Sequence, residues 1–198
     1  MREIVCGEKK KYVMEKKHKQ LYNTYFRQRE NAGRLRPYEA IYMLEKNPKL
    51  HLNDADGIVS VLLRRPDYIN RVNTDVLDGY DLRSLLVYQP QLINDVPKHK
   101  LNYSQIAFLI QHQPQLINDL PTDNLHRDDI SLILRKQPQL VDKLPLHVLR
   151  QHDVFVILYQ QPSLVNKLNI DLLSKMDINS ITNQHPQLKP YFKERGLI

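Results

Sequence analysis

The chain has 198 residues and a mass of 23.5 kDa, with 41% hydrophobic and 26% charged side chains, a composition that excludes intrinsic disorder. Its one cysteine, Cys6, excludes a disulfide framework and any cysteine-ligated zinc or iron–sulfur centre held by this chain alone. Of the 29 Lys and Arg, 11 fall in residues 1–37 together with four of the 22 Asp and Glu, so that segment carries the whole net charge of +7 and the remainder is neutral.

The first segment, 1–37, is a basic head. Lys9, Lys10, Lys11, Lys16, Lys17, Lys19, Arg27, Arg29, Arg34 and Arg36 are interleaved with Tyr12, Tyr22, Tyr25 and Phe26. The spacing predicts a basic amphipathic helix over about Glu8–Glu30, ending near Gly33. Clustered cations with interleaved aromatics are the footprint of nucleic-acid contact or of an acidic partner surface. The competing reading is a solvated helix face whose aromatics dock on the next element. Met1–Lys11 is charged where a signal peptide needs an apolar stretch, and no apolar run is long enough to span a bilayer. A cytoplasmic, soluble protein is expected.

Residues 38–65 are an irregular cap. The stretch Pro37–Lys46 opens with proline at a favourable first-turn position and predicts a helix. Pro48 precedes Pro66 by only 18 residues, yet Leu50, Ile58, Val61 and Leu62 still fit the apolar columns of residues 66–189, as though part of a link were deleted.

Residues 66–189 repeat themselves. Pro66, Pro90, Pro114, Pro138, Pro162 and Pro186 stand 24 apart. Leu92, Leu116, Leu140, Leu164 and Leu188 follow at two residues, with Tyr68 in the same column; Leu77, Leu101, Leu125, Leu149 and Leu173 follow at eleven. Fifteen after each proline come Asp81, Gln105, Asp129, Asp153 and Asp177, and then an apolar set with helical spacing, as at Ile130, Ile133 and Leu134. The aspartates are expected to be N-caps of helices about eight residues long, such as Ile130 to Gln137, closed by the next proline. The other half of each unit predicts a short α or 3₁₀ turn and an extended link. Helices so short are marginal alone and must stack. Residues 190–198, with Lys193, Glu194 and Arg195, make a polar C-terminal cap.

The expected fold is therefore all-α: a helical-repeat solenoid of 24-residue units with short helices and 3₁₀ turns, preceded by a basic N-terminal helix. The period, the single proline anchor, the Leu pair after it and the Asp-capped short helix in residues 66–189 resemble the leucine-rich repeat variant family. That resemblance implies alternating α and 3₁₀ helices stacked in a superhelix. The iron–sulfur centre borne by one member type is not carried over, since only Cys6 is present. The pattern Asp-Ile-x-x-Ile-Leu-x-x-x-Pro-x-Leu-Val, Asp129–Val141, is also similar to the longer repeats of the mitochondrial transcription terminator family, which implies duplex nucleic-acid binding.

Catalytic chemistry finds little footing. The five glycines never form a phosphate loop, and His152-Asp153 lacks a matching ligand set. No cofactor, metal, membrane or small-molecule substrate is expected. Binding has two candidate surfaces. One is the head. The other is the helix face carrying Ser84, Phe108, Leu132, Val156 and Ser180 beside Val87, Gln111, Arg135, Tyr159 and Asn183, from which Val87, Phe108, Leu132, Arg135, Val156 and Tyr159 are the candidate protein-binding residues. That face is either a partner groove or is itself buried between two layers. The glutamines flanking the prolines are expected to satisfy loose backbone groups of their own junctions. The expected function is a non-enzymatic interaction scaffold that binds a protein or its own copies, with a nucleic-acid-binding regulator as the alternative. In that alternative the head and Arg64, Arg65, Arg71 and Arg83 form one basic end.

Overall fold

A computed structural model describes residues 37–198. The described residues are helical throughout, with no β-strand and one isolated parallel bridge, Leu52 to Val72. The α-helices are α1 Pro37–Lys46, α2 Ala55–Leu62, α3 Gly79–Tyr88, α4 Tyr103–His112, α5 Arg127–Lys136, α6 Gln151–Gln160, α7 Lys175–Gln184 and α8 Lys189–Glu194. Short 3₁₀ helices lie between them, including Pro66–Arg71, Pro90–Asn94, Pro114–Asn118, Pro138–Lys143, Pro162–Leu164 and Pro186–Leu188.

Helices α3 to α7 each have ten residues, and each begins 24 residues after the one before. They are longer than the sequence expectation because they start earlier. The N-caps are Asp78, Asn102, His126, Arg150 and Ser174, and the Asp81 column lies inside the first turn, at its third residue. There the carboxylate or amide oxygen turns back to accept the N-cap backbone N–H: Asp78 N–H to Asp81, Asn102 N–H to Gln105, Arg150 N–H to Asp153 and Ser174 N–H to Asp177, at 2.9–3.2 Å. Side chains of Asp78, Asn102 and Ser174 complete the reciprocal bond, a capping box. An aspartate can accept a free backbone N–H of the first turn from either position, the cap or the third residue, and this ambiguity displaced the expected helix starts.

The C-terminal ends obey the proline. Gln89, Gln113, Gln137, Gln161 and His185, each preceding proline, all leave the α region with φ between −133 and −127° and ψ between 62 and 73°. The leucine two residues beyond each proline then donates back to the carbonyl of the residue before it, at 3.0–3.1 Å, which starts the 3₁₀ turn.

The core lies between the α-helices and the 3₁₀ turns. Leu85, Leu109, Ile133, Ile157 and Ile181 have no exposed surface. Leu92, Leu116, Leu140, Leu164 and Leu188 face them from the 3₁₀ side, and the links add Leu77, Leu101, Leu125, Leu149 and Leu173; all are buried. Successive α-helices pack on one another, and one apolar cluster runs from Ala40 to Phe192. At the C-terminal end Gly196, with φ +68°, lets its own and the Leu197 N–H return to the Lys193 and Phe192 carbonyls at 3.0 Å, ending α8 over the buried Phe192.

Candidate interaction face

Two surfaces compete for the repeated polar residues, and the glutamines belong to the structural one. The side-chain amide of Gln89 donates to the Leu63 carbonyl at 2.8 Å, that of Gln137 to Gln111 at 3.1 Å and that of Gln161 to Arg135 at 2.8 Å, with Gln113 bonded likewise to Val87. His185 Nε2 meets the Tyr159 carbonyl at 2.8 Å in the same register. Each therefore reaches the last turn of the preceding helix and satisfies one of its free carbonyls, rather than a group of its own junction as the sequence suggests. A second glutamine holds the first: Gln91, Gln115 and Gln139 donate to Gln89, Gln113 and Gln137 at 2.7–2.8 Å.

The first position of this ladder is ionic. Arg65 clasps Asp67 through two hydrogen bonds of 2.9 and 2.7 Å and also reaches Glu45 at 3.2 Å. The hydrogen bond from Arg65 holds the Asp67 carboxyl below the usual carboxylate range, and the same bond raises Arg65 beyond its already high value. Arg71 is turned onto the carbonyls of Leu44, Asn47 and Leu50, and Arg64 onto that of Ser60. Of the four arginines expected at a basic end, Arg83 alone donates to no described carboxylate or carbonyl, its guanidinium lying instead over aromatic rings.

The outward face of α3–α7 carries the candidate protein-binding residues. Val87 is half-buried against the core, Leu132 and Val156 are half-buried, and Tyr159 is 41% exposed beside Phe155 and His185. Arg135 is half-buried and donates to the Ser131 carbonyl one turn back. Phe108 is half-buried, stacked on His112 at 4.1 Å. The Arg83 guanidinium lies 4.8 Å from the Phe108 ring centre and 5.7 Å from that of Tyr80.

On α3–α7 the most exposed apolar groups are Tyr80 at 65%, Tyr88 at 72%, Tyr103 at 47% and Met176 at 80%. None of them is among the candidates that the repeat columns single out. Tyr80, Tyr103 and Met176 occupy the first two helical positions, before the Asp column, where the sequence suggests links; the capping-box spacing from Asp78, Asn102 and Ser174 is the signal that places them on the helices.

Two carboxylates at the helix starts depart from ordinary behaviour. Burial pushes Asp129 up, reinforced by Asp128 beside it and opposed by His126. Burial alone would raise Asp177 too, but hydrogen bonds from Ser174 and Gln151 outweigh it and hold Asp177 low. Asp153 is buried and committed to the Arg150 N–H. Among the described residues no three His, Cys, Asp or Glu gather as a metal site, and no helix is long and apolar enough to cross a membrane. The head, with Lys9, Lys10, Lys11, Lys16, Lys17, Lys19, Arg27, Arg29, Arg34, Arg36 and Cys6, lies outside the described residues. Compared with known protein families, with curated proteins and with solved structures, the chain matches none of them.

Proposed function

We propose that this chain is a helical-repeat solenoid of 24-residue units, of the leucine-rich repeat variant type, acting as an interaction scaffold with a protein partner, while its basic head contacts nucleic acid or an acidic surface. The observation that carries the scaffold reading is the exposure of Tyr80, Tyr103 and Met176 at helix starts and of Tyr88 and Tyr159 at helix ends, on helices whose inner residues are buried. Tyrosine and methionine are enriched at protein interfaces, where a rigid amphipathic ring covers much area at small entropic cost. The repeated Asp and Gln columns are explained by capping and by joining one helix to the next. A photo-crosslinking residue at Tyr159, compared with one at Asn94 on the 3₁₀ side, tests this. Crosslinks to a partner or a second copy from Tyr159 and not from Asn94 support the outer face, and the reverse pattern overturns it.

The nucleic-acid reading of the head is favoured by the +7 carried by residues 1–37. Neutral substitution of Lys9, Lys10, Lys11, Lys16, Lys17 and Lys19 to Gln in the full chain should abolish any steeply salt-dependent binding to an oligonucleotide. Binding that persists after these changes would remove the head from the function.

A further inference from the structure

Resting on the scaffold reading, and naming the chemistry of the partner, we infer that the seam between α3 and α4 docks an acidic, apolar peptide segment, with one of its carboxylates held by Arg83. The guanidinium of Arg83 is placed by the rings of Tyr80 and Phe108, at 5.7 and 4.8 Å, and Phe108 is itself buttressed by His112 at 4.1 Å. Rings packed on a guanidinium leave its N–H edge as the bonding side, and that edge suits the two oxygens of a carboxylate. Several arginines of the fold have acceptors, Arg65 having Asp67 and Glu45, Arg71 three carbonyls and Arg127 Asp128, while Arg195 lies over the single ring of Tyr191 at 5.1 Å. Arg83, half-buried and held over the two rings, donates to no described residue, so its N–H groups are left to an outside acceptor and less rotamer freedom is lost on binding.

The neighbourhood selects the partner. The acids nearest in sequence, Asp78 and Asp81, are occupied with each other's backbone in the capping box of α3. Lys136, the cation at the end of α5, is bound to the Gln111 amide oxygen at 2.9 Å. A polyphosphate needs several free cations along its track, whereas residues 38–198 sum to zero charge and this seam offers one. One oriented guanidinium in a neutral surface fits a single carboxylate. From Phe108 the same helical position continues through Leu132 and Val156, both half-buried, and one turn further on α6 stands Tyr159. The complementary segment is an Asp or Glu followed by apolar side chains.

The test is an array of short synthetic peptides in which Asp and Glu are exchanged for Asn and Gln, and Leu and Phe for Gly and Ser, probed with the full chain. The best-bound peptide is then titrated against the wild type, Arg83→Gln, Arg83→Lys and the remote control Lys189→Gln. The expected result is capture that requires both the acid and the apolar residues. Affinity should fall about tenfold in Arg83→Gln, and nearly as far in Arg83→Lys because an ammonium lacks the planar fork. Lys189→Gln should leave it unchanged, and melting temperatures should match the wild type throughout. Peptide binding on α3–α7 that ignores the Arg83 substitutions, or that neutral peptides share, overturns the carboxylate clamp and leaves the scaffold standing. An array that captures nothing overturns the inference, while the scaffold reading stands or falls on the crosslinks from Tyr159. Arg83-dependent binding of a single-stranded oligonucleotide in place of acidic peptides overturns the choice of partner.

Discussion

Gly79, at the start of α3, faces the side-chain amide of Gln105 in α4. A β-carbon on Gly79 would stand 2.9 Å from both Gln105 Nε2 and the Lys100 carbonyl oxygen, and closer still to Gln105 Oε1. The third helical position holds Asp in the other four helices of the set, and Gln105 is one methylene longer. It still accepts the Asn102 N–H at 2.9 Å, but its amide projects into space that a neighbouring side chain would otherwise fill. The corresponding neighbours elsewhere are not glycine; Gln151 at the start of α6 instead donates to Asp177 of α7 at 2.8 Å.

Gly79→Ala is therefore expected to destabilise the protein by about 1–3 kcal/mol through overpacking. Pairing it with Gln105→Asp should recover the part of that loss due to the amide, since the shorter side chain keeps the capping bond and vacates that space, while the contact with the Lys100 carbonyl oxygen remains. Urea denaturation of the two single variants and the double variant gives the coupling directly. A neutral Gly79→Ala, or purely additive losses, would show that the two residues are independent.

Gln137, at the end of α5, ties that helix to α4: its amide donates to the Gln111 carbonyl and its own oxygen accepts from Gln139. Gln137→Ala strands a helix-end carbonyl and should cost about 1–2 kcal/mol, while Gln139→Ala, which removes an exposed buttress, should cost roughly half a kcal/mol or less. Equal losses in thermal melts would mean that the bond between helices contributes nothing beyond the local pair.

How far the sequence disclosed this structure can be traced through single columns. The prolines placed the ends of α3–α7, because ring sterics act on the residue before them regardless of what packs nearby, and the backbone at Gln89 through His185 shows it. The buried leucines were equally legible from their period. Helix starts were not, since Asp accepts backbone N–H bonds at either the cap or the third position, and the choice depends on whether Asp78, Asn102 or Ser174 is there to reciprocate. The reach of Gln137 into the preceding helix and the exposure of Tyr80 are tertiary facts, set by how adjacent segments align. The Arg83 cluster joins residues 25 positions apart, Arg83 and Phe108, with no local signature.

Leu125 and Leu132 separate core from surface within one segment. Leu125, in the link, is 4% exposed, and truncation to Ala should cost about 2–5 kcal/mol. Leu132 is half-buried on the outward side of α5, and Leu132→Ala should cost about 1 kcal/mol. Chemical denaturation of both variants decides whether the outer column is a surface. Equal large losses would place Leu132 in a second buried layer and withdraw it from any partner.

Asp129 and Asp177 stand at the same position of α5 and α7 and should pull stability in opposite directions as pH changes. Asp177 is held below its unfolded value by Ser174 and Gln151 against the effect of burial. Between its lowered folded value and the ordinary value of about 4, the unfolded chain binds more protons, so stability rises with pH there and is lost on acidification. Asp129 is raised by burial. Between the ordinary value and its raised one, the folded chain binds more protons, so stability falls as pH rises through that window. The stability advantage of wild type over Asp177→Asn should accordingly be largest near neutrality and vanish in acid. Wild type relative to Asp129→Asn should gain as the pH is lowered. Urea midpoints recorded across the acidic range for the three proteins check both signs at once, and parallel curves would refute the opposed environments of the two carboxylates.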